Sequence, residues 1–312
     1  MLANPKCSVI LPTHNRMKTL PRAVASVLAQ DLSDFELLIV DDASTDQTGD
    51  WLARQHDPRI RVLRSDRQLG PSGARNIGLE AAGADVIAFL DSDDEYLAGR
   101  LTVPLKVLAA EADVVCTLSS SEKQVRDQSN VALQPDVKLA PAAFQWALMC
   151  GLIGVESSSI TVRAAAARAI GGFCSRLSQD EDGEFLVRVA GVGAARLLPD
   201  VLWRKFWSAD SLSLSSRAAG PGLLNYVSQR PEFVGRFHKL GSYRATKVLV
   251  ADIRRRDIAG FVADLRSFRA AGLIRGNPLS LLRTHREVRN YRRKMAKRES
   301  LASLQGPPES WN

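Results

Sequence analysis

The chain has 312 residues, of which 45% are hydrophobic and 24% charged. These are the proportions of a globular protein with one large or two modest domains. Its four cysteines, Cys7, Cys116, Cys150 and Cys174, stand far apart, which argues against a zinc site or a disulfide framework and fits a reducing, cytoplasmic setting. The net charge of +8 is uneven: residues 1–219 sum to −4 and residues 220–312 to +12, an acidic first part joined to a basic tail suited to an anionic surface.

The opening residues, Met1-Leu2-Ala3-Asn4-Pro5-Lys6, lack the basic and apolar regions of a signal peptide. Residues 7–12 form a short apolar run closed by Pro12, and Thr13-His14-Asn15-Arg16 reads as a turn. Thr19 and Pro21 open a helix with Ala23, Val24, Val27 and Leu28 on one face. A second buried strand, Phe35-Glu36-Leu37-Leu38-Ile39-Val40, ends in Asp41-Asp42, and Ser44 or Thr45 starts the next helix. The alternation of residues 59–64 predicts a half-exposed strand, Gly70-Pro71-Ser72-Gly73 a loop, and residues 74–82 a helix stopped by Gly83.

Val86-Ile87-Ala88-Phe89-Leu90 then runs straight into Asp91-Ser92-Asp93-Asp94. A wholly apolar run is a strand buried on both faces of a parallel sheet, and ligands of such sheets bind beyond the strands' carboxyl ends. Three adjacent carboxylates repel one another, so a cation is expected there, and a hard divalent ion carrying phosphates suits them. A solvated acidic turn capping the next helix is the plainer alternative. Further on, the pattern predicts a helix from Leu97 to about Glu111 and a strand over 113–118. Residues 119–138 read as a polar loop with short strands, followed by helices over 141–150 and 164–170 and a strand over 157–162. The uncharged stretch 139–155 is too short to span a membrane. A second acidic cluster, Gln179-Asp180-Glu181-Asp182, opens a helix with Phe185, Leu186 and Val189 on one side. Residues 196–207 form a last strand, and a helical, basic region follows from about Ser215. Strand and helix alternate four times in the first ninety residues, so the fold class is α/β with a mostly parallel sheet flanked by helices. There is no glycine-rich dinucleotide or P-loop motif.

Six pieces, in this order and spacing, carry a resemblance. They are residues 8–16, Leu38-Ile39-Val40-Asp41-Asp42-Ala43-Ser44-Thr45-Asp46, Gly73-Ala74-Arg75-Asn76-Ile77-Gly78, Phe89-Leu90-Asp91-Ser92-Asp93-Asp94, Gly171-Gly172-Phe173 and Glu181-Asp182. Together they resemble the family 2 inverting glycosyltransferases of GT-A fold over residues 7–210. The resemblance implies a catalytic domain at 1–212 and a helical basic region at 213–312. It implies that Pro12, Thr13, Asp42, Arg75, Asp91 and Ser92 bind the nucleotide-sugar, with Asp42 on the base. Asp93 would be the ligand of a Mn²⁺ or Mg²⁺ cofactor and Asp182 the catalytic base. The partners it implies are a nucleotide-diphosphate sugar, UDP-linked by expectation, and a glycan or lipid-linked acceptor. Two departures stand out. Trp203-Arg204-Lys205-Phe206-Trp207 replaces a Tyr-Arg-x-His segment, so a metal-ligating histidine is missing, and Ala43 replaces a glycine.

The residues also bear on mechanism. A single displacement needs one base and no enzymic nucleophile, and the chain has no convincing Ser-His-Asp or Cys-His set. A nucleotidyltransferase shares the architecture but needs a basic phosphate loop after the first strand, which Pro12-Thr13-His14-Asn15 is not. A non-catalytic relative used for binding or assembly is the other alternative. Asp180 and Glu181 are expected at the surface, because Phe185 and Leu186 turn Asp182 inward. In the tail, Val288, Tyr291 and Met295 share one helical face amid arginines. Residues 279–298 are therefore a candidate for an anionic membrane surface, in preference to nucleic acid, with packing on the catalytic domain as the alternative. This places the protein in the cytoplasm, peripheral on the inner face of the membrane.

Overall fold

The computed structural model describes residues 5–125, 128–177, 179–206, 219–295 and 301–306. Its first half is a repeating strand–helix unit: β1 (Cys7–Thr13), α1 (Leu20–Leu28), β2 (Phe35–Asp41), α2 (Thr48–Ala53), β3 (Ile60–Arg64), α3 (Gly70–Ala81) and β4 (Val86–Phe89). β3, β2, β1 and β4 lie side by side and parallel. Successive strand residues point to opposite faces, and both faces are apolar. Val9, Leu11, Leu37 and Ile39 pack toward α1 and α2, whereas Ile10, Leu38, Ile87 and Phe89 pack toward α3 and the later helices.

The next elements are β5 (Glu95–Tyr96), α4 (Thr102–Ala110), β6 (Val114–Val125), β7 (Gln128–Ala132), β8 (Val137–Leu139), α5 (Pro141–Cys150), β9 (Ile160–Arg163), α6 (Ala164–Ala169), α7 (Glu181–Val189) and β10 (Ala194–Phe206). β9 enters antiparallel between β4 and β6, and β10 runs parallel to β6, giving the order β3-β2-β1-β4-β9-β6-β10-β5. The chain ends in α8 (Ala219–Gln229), α9 (His238–Arg255), α10 (Ile258–Ala270) and α11 (Pro278–Met295).

Several elements differ from the sequence reading. Gly70–Gly73 is the first turn of α3, with Pro71 in its opening turn, a position where the missing N–H is no loss. The helix expected from Ser44 or Thr45 begins at Thr48, and the one expected from Leu97 begins at Thr102, after a two-residue strand. Residues 119–125 continue the long strand β6 instead of looping, and Ser119, Ser120 and Ser121 are buried in it. The Ser120 hydroxyl donates to the Leu198 carbonyl and accepts from the Gln134 amide, which lets a polar strand occupy the sheet interior. Trp207 and the boundary expected at 212/213 lie outside the described residues.

α3 is held against the sheet at one close contact. A Cβ added at Gly78 would stand 2.5 Å from Ile10 Cγ2, so glycine there lets the helix lie directly on β1. One turn earlier on the same helix is Arg75. The C-terminal helices share the hydrophobic cluster on this face. Val288 is fully buried, and the Trp146 indole N–H donates to the Tyr291 hydroxyl at 2.8 Å. The apolar face of α11 expected on a membrane is therefore turned inward against α5 and α9.

Candidate active site

The carboxyl ends of β1, β2 and β4 open on one rim, where the chain leaves the sheet at Thr13, Asp41-Asp42 and Leu90-Asp91. Asp42 is buried, and its two carboxylate oxygens accept from the amides of Leu69 and Gly70, each at 2.8 Å. These are orphan donors at the start of α3, so Asp42 caps that helix from a neighbouring strand. Asp41 accepts from the Ser44 amide at 3.0 Å and so fixes the turn after β2. Ala43, where glycine was expected, takes a positive φ of 56°, the left-handed conformation for which glycine is favoured. Pro12 and Thr13 are buried, and the Thr13 hydroxyl has no partner among the described residues. Replacing Asp42 by alanine should cost about 1 kcal/mol in the donor-free protein through the lost cap. Urea unfolding measures this, and an unchanged midpoint would mean that the cap adds nothing.

After β4 the chain turns tightly, with the Asp94 amide donating to the Asp91 carbonyl at 3.0 Å. Ser158 stitches this turn: its hydroxyl accepts from the Asp91 amide and donates to Asp94 Oδ2 at 2.6 Å. Ser158 is itself held by the buried Arg100, whose guanidinium donates to the carbonyls of Ser158 and Ile160. Ser92 is buried within the turn. Burial, then the neighbouring charges of Asp91 and Asp93, pushes the Asp94 carboxyl well above the ordinary range. Asp93 is raised by burial and by Asp91, and Arg16 and Lys205 partly offset this. No side-chain donor bonds the Asp93 carboxylate among the described residues, whereas its carbonyl accepts from Arg22 at 2.7 Å. The Arg22 guanidinium lies 3.5 Å from the Phe206 ring centroid, the position where a histidine was expected.

Arg75 joins this turn to α7. It is only 3% exposed and donates to Asp91 Oδ1 at 2.7 Å and to Glu181 Oε1 at 3.0 Å. Burial works against its charge, but Asp91 and Glu181, with Asp182 next to them, outweigh it and raise its pKa. The approach of α7 is fixed by Asn76, the next residue of α3. Its side chain accepts from the Phe173 amide and donates to the Phe173 carbonyl. Gly172 precedes with a φ of 72°, and a Cβ there would collide with Asn76. Phe173 stacks flat on Phe185 of α7 with centroids 4.1 Å apart, and Phe89 meets both edge-on. Glu181 is thus drawn inward, not left at the surface as expected: its longer side chain reaches back to Arg75. Asp180 is exposed, as expected, in a left-handed conformation at the helix start. Asp182 is half-buried and accepts from the Gly183 amide at 2.7 Å. Burial and the adjacent Glu181 push its carboxyl up to about 8, with Arg75 opposing.

Sequence reasoning missed four polar side chains in this cleft: Arg22, Ser158, Glu156 and Lys205. Lys205 Nζ is 3.1 Å from Glu156. Burial lowers its pKa, but Glu156, Asp94 and Asp91 more than restore it. Lys205 sits one residue before the Phe206 departure, which was the only sequence signal pointing to it. As for a metal, no group of three His, Cys, Asp or Glu gathers closely enough to hold an ion among the described residues. An ion beside Asp91 and Asp93 would have to take most of its ligands from elsewhere, as hard cations do from phosphate oxygens.

The glycosyl transferase family 2 model matches residues 8–155, the segment that holds β1 to β4 and the Asp91–Asp94 turn. Residues 8–155 belong to glycosyltransferase family 2. The chain is 34% identical over 153 residues to the GalNAc(5)-diNAcBac-PP-undecaprenol beta-1,3-glucosyltransferase of Campylobacter jejuni, covering 47% of this chain and 50% of that one. It is 38% identical over 101 residues to the UDP-Glc:alpha-D-GlcNAc-diphosphoundecaprenol beta-1,3-glucosyltransferase WfgD of Escherichia coli, covering 32% and 40%. The matches thus span half or less of these relatives' lengths. Among solved structures, S. aureus TarS 1-349 in complex with UDP-GlcNAc superposes with a TM-score of 0.59 at 18% identity, covering 85% of this chain and 92% of that one. The mannosyltransferase PcManGT from Pyrobaculum calidifontis in complex with GDP-Man and Mn2+ gives 0.59 at 18% identity, covering 96% and 85%. Both likenesses show the GT-A fold, including the part beyond residue 155.

Proposed function

We propose that the protein is an inverting glycosyltransferase that moves a sugar from a nucleotide-diphosphate donor to a hydroxyl of a lipid-linked saccharide. The observation that carries this reading is Arg75, which ties Asp91 of the acidic turn to Glu181, the residue beside Asp182. One guanidinium thereby sets the distance between a diphosphate-binding rim and a raised-pKa carboxyl on the opposite wall. The relatives in Campylobacter and Escherichia are named for undecaprenol-diphosphate acceptors, and WfgD for UDP-Glc, which supports a lipid-linked acceptor and a UDP-sugar.

In the proposed reaction the acceptor oxygen attacks the anomeric carbon from the side opposite the diphosphate. The new glycosidic bond forms as the bond from that carbon to the diphosphate oxygen breaks, and configuration inverts. The acceptor's proton passes to the carboxylate of Asp182, and the nucleoside diphosphate leaves with the bonding electrons. A placed base contributes about 10²–10⁴-fold. Pro12 and Thr13 would flank the nucleotide base, and Asp42 would accept a hydrogen bond from it while also capping α3. Lys205 and Arg16 offer positive charge beside Asp93 on the diphosphate side. Asp93 would hold a Mn²⁺ or Mg²⁺ ion, with Asp91 nearby, and that ion would neutralise the leaving diphosphate.

A calorimetric screen of UDP-, GDP- and dTDP-sugars with Mn²⁺ tests the reading, and saturable binding of one donor class is the expected result. Binding of none would overturn it. Asp93→Ala should remove the Mn²⁺ dependence of donor binding and leave the fold intact, since its side chain supports no other. Unchanged Mn²⁺ dependence in that variant would make Asp93 the wrong ligand.

A further inference from the structure

The turn between α9 and α10 combines features that the transfer reaction does not use. α9 ends in a Schellman-type cap: the Asp257 amide donates to the Asp252 carbonyl and the Arg256 amide to that of Ile253. Arg256 occupies the left-handed position with a φ of 60°, where glycine is the usual residue. A charged side chain thus stands at a position that favours none. Ile253 is 61% and Ile258 76% exposed, and Val250 and Val262 extend the same two helices as further exposed apolar residues. Arg254, Arg255 and Arg256 fill the turn between them, all exposed.

The local acids are turned into the structure. Asp252 is buried, with Arg255 3.5 Å away, and Asp257 caps α10 through the Gly260 amide. Arg254 and Arg256 have no acidic partner among the described residues. Residues 244–269 hold seven Lys and Arg against three Asp, so the outward charge is positive. No helix among the described residues is long and apolar enough to cross a membrane. The apolar face of α11 is occupied by α5 and α9, as described above. Large aliphatic side chains at a tip, ringed by arginines, match the layering of a bilayer surface, with acyl chains beneath and phosphates above.

We propose that the α9–α10 turn docks the protein on an anionic phospholipid bilayer, with Ile253 and Ile258 entering the interface and Arg254–Arg256 against headgroup phosphates. The inference rests on the reading of a lipid-linked acceptor, whose diphosphate end lies at such a surface. It extends that reading by naming the part of the chain that meets the lipid.

Vesicle flotation tests it without donor or acceptor, so its failure would leave the transfer reading standing, and a failed donor screen would leave this result standing. The full chain should float with phosphatidylcholine vesicles containing phosphatidylglycerol, should not float with phosphatidylcholine alone, and should be released by salt. Arg254→Ser, Arg255→Ser and Arg256→Ser combined should lower partitioning about a hundredfold, since each basic residue at such a surface contributes roughly fivefold. Ile253→Ser with Ile258→Ser should lower it as well. Leu279→Ser with Leu282→Ser, at the start of α11, should leave it unchanged. All these residues are exposed, so circular dichroism should show every variant folded. Equal flotation of the tip variants and the wild-type chain would overturn the proposal. So would a loss confined to the α11 pair, or light scattering in which the isoleucine pair dissolves a dimer while flotation is unchanged.

Discussion

Asp182→Asn should leave the fold and donor binding intact and lower the transfer rate by roughly 10²–10⁴-fold. The substitution keeps shape and hydrogen-bonding capacity but removes the ability to take a proton. Stability should not suffer. Burial and Glu181 already disfavour the charged form of Asp182, so a neutral amide relieves a repulsion there. Asp180→Asn should transfer at the wild-type rate, because Asp180 is exposed at the helix start. Glu181→Gln should differ from both: it weakens a contact of Arg75, so it should lower stability and transfer together. A transfer assay with donor affinity measured in parallel separates the three. Near wild-type transfer by Asp182→Asn would remove it from the role of base.

The second large effect is expected at Arg75. Arg75→Leu leaves Asp91 and Glu181, 32% and 17% exposed, facing each other without their shared cation. Breaking a buried pair by deleting one partner costs about 3–5 kcal/mol, and the partial exposure of Asp91 puts this case near the low end. Urea unfolding should show the loss. Arg75→Lys should recover only part of it, because a single ammonium on a flexible stem cannot span two carboxylates in fixed geometry. Arg75→Leu should also raise the Asp182 pKa further, since the opposing cation is gone. An unfolding free energy within about 0.5 kcal/mol of wild type, the usual range for surface changes, would contradict the view that Arg75 joins the two halves of the site.

Residues 35–40 and 86–90 were legible as strands because both of their faces are buried and an unbroken apolar run has few other readings. Asp41-Asp42 and Asp91–Asp94 were legible as a rim because each follows such a run. Gly70-Pro71-Ser72-Gly73 was not, since glycine and proline are loop signals in isolation. What makes it a helix start is Asp42, twenty-seven residues before Leu69 in the chain. The strand through Ser119–Ser121 was hidden for a similar reason: the Ser120 hydroxyl finds partners on Leu198 and Gln134, contacts that exist only in the folded sheet. Glu181 was misplaced because helical spacing gave Asp182 the inward face through Phe185. Phe185 is also four residues from Glu181, so periodicity alone does not separate them, and Arg75 decides the matter. The resemblance covered the motifs but not the Phe206 departure. There Arg22 stacks on the ring and holds the Asp93 carbonyl, a link between α1, β10 and the acidic turn.

The pH dependence of transfer tests the central claim most directly, because it reads the protonation of Asp182 itself. A base must be ionised to work, and this one is pushed up to about 8 in the free protein. For wild type, kcat/KM should rise about tenfold per pH unit below that value and level off above it. The limb in kcat should fall at lower pH if the donor complex holds the proposed cation at Asp93, because that cation would favour the ionised form. A wild-type kcat/KM that is flat with pH through this range would contradict the assignment of Asp182 as the base.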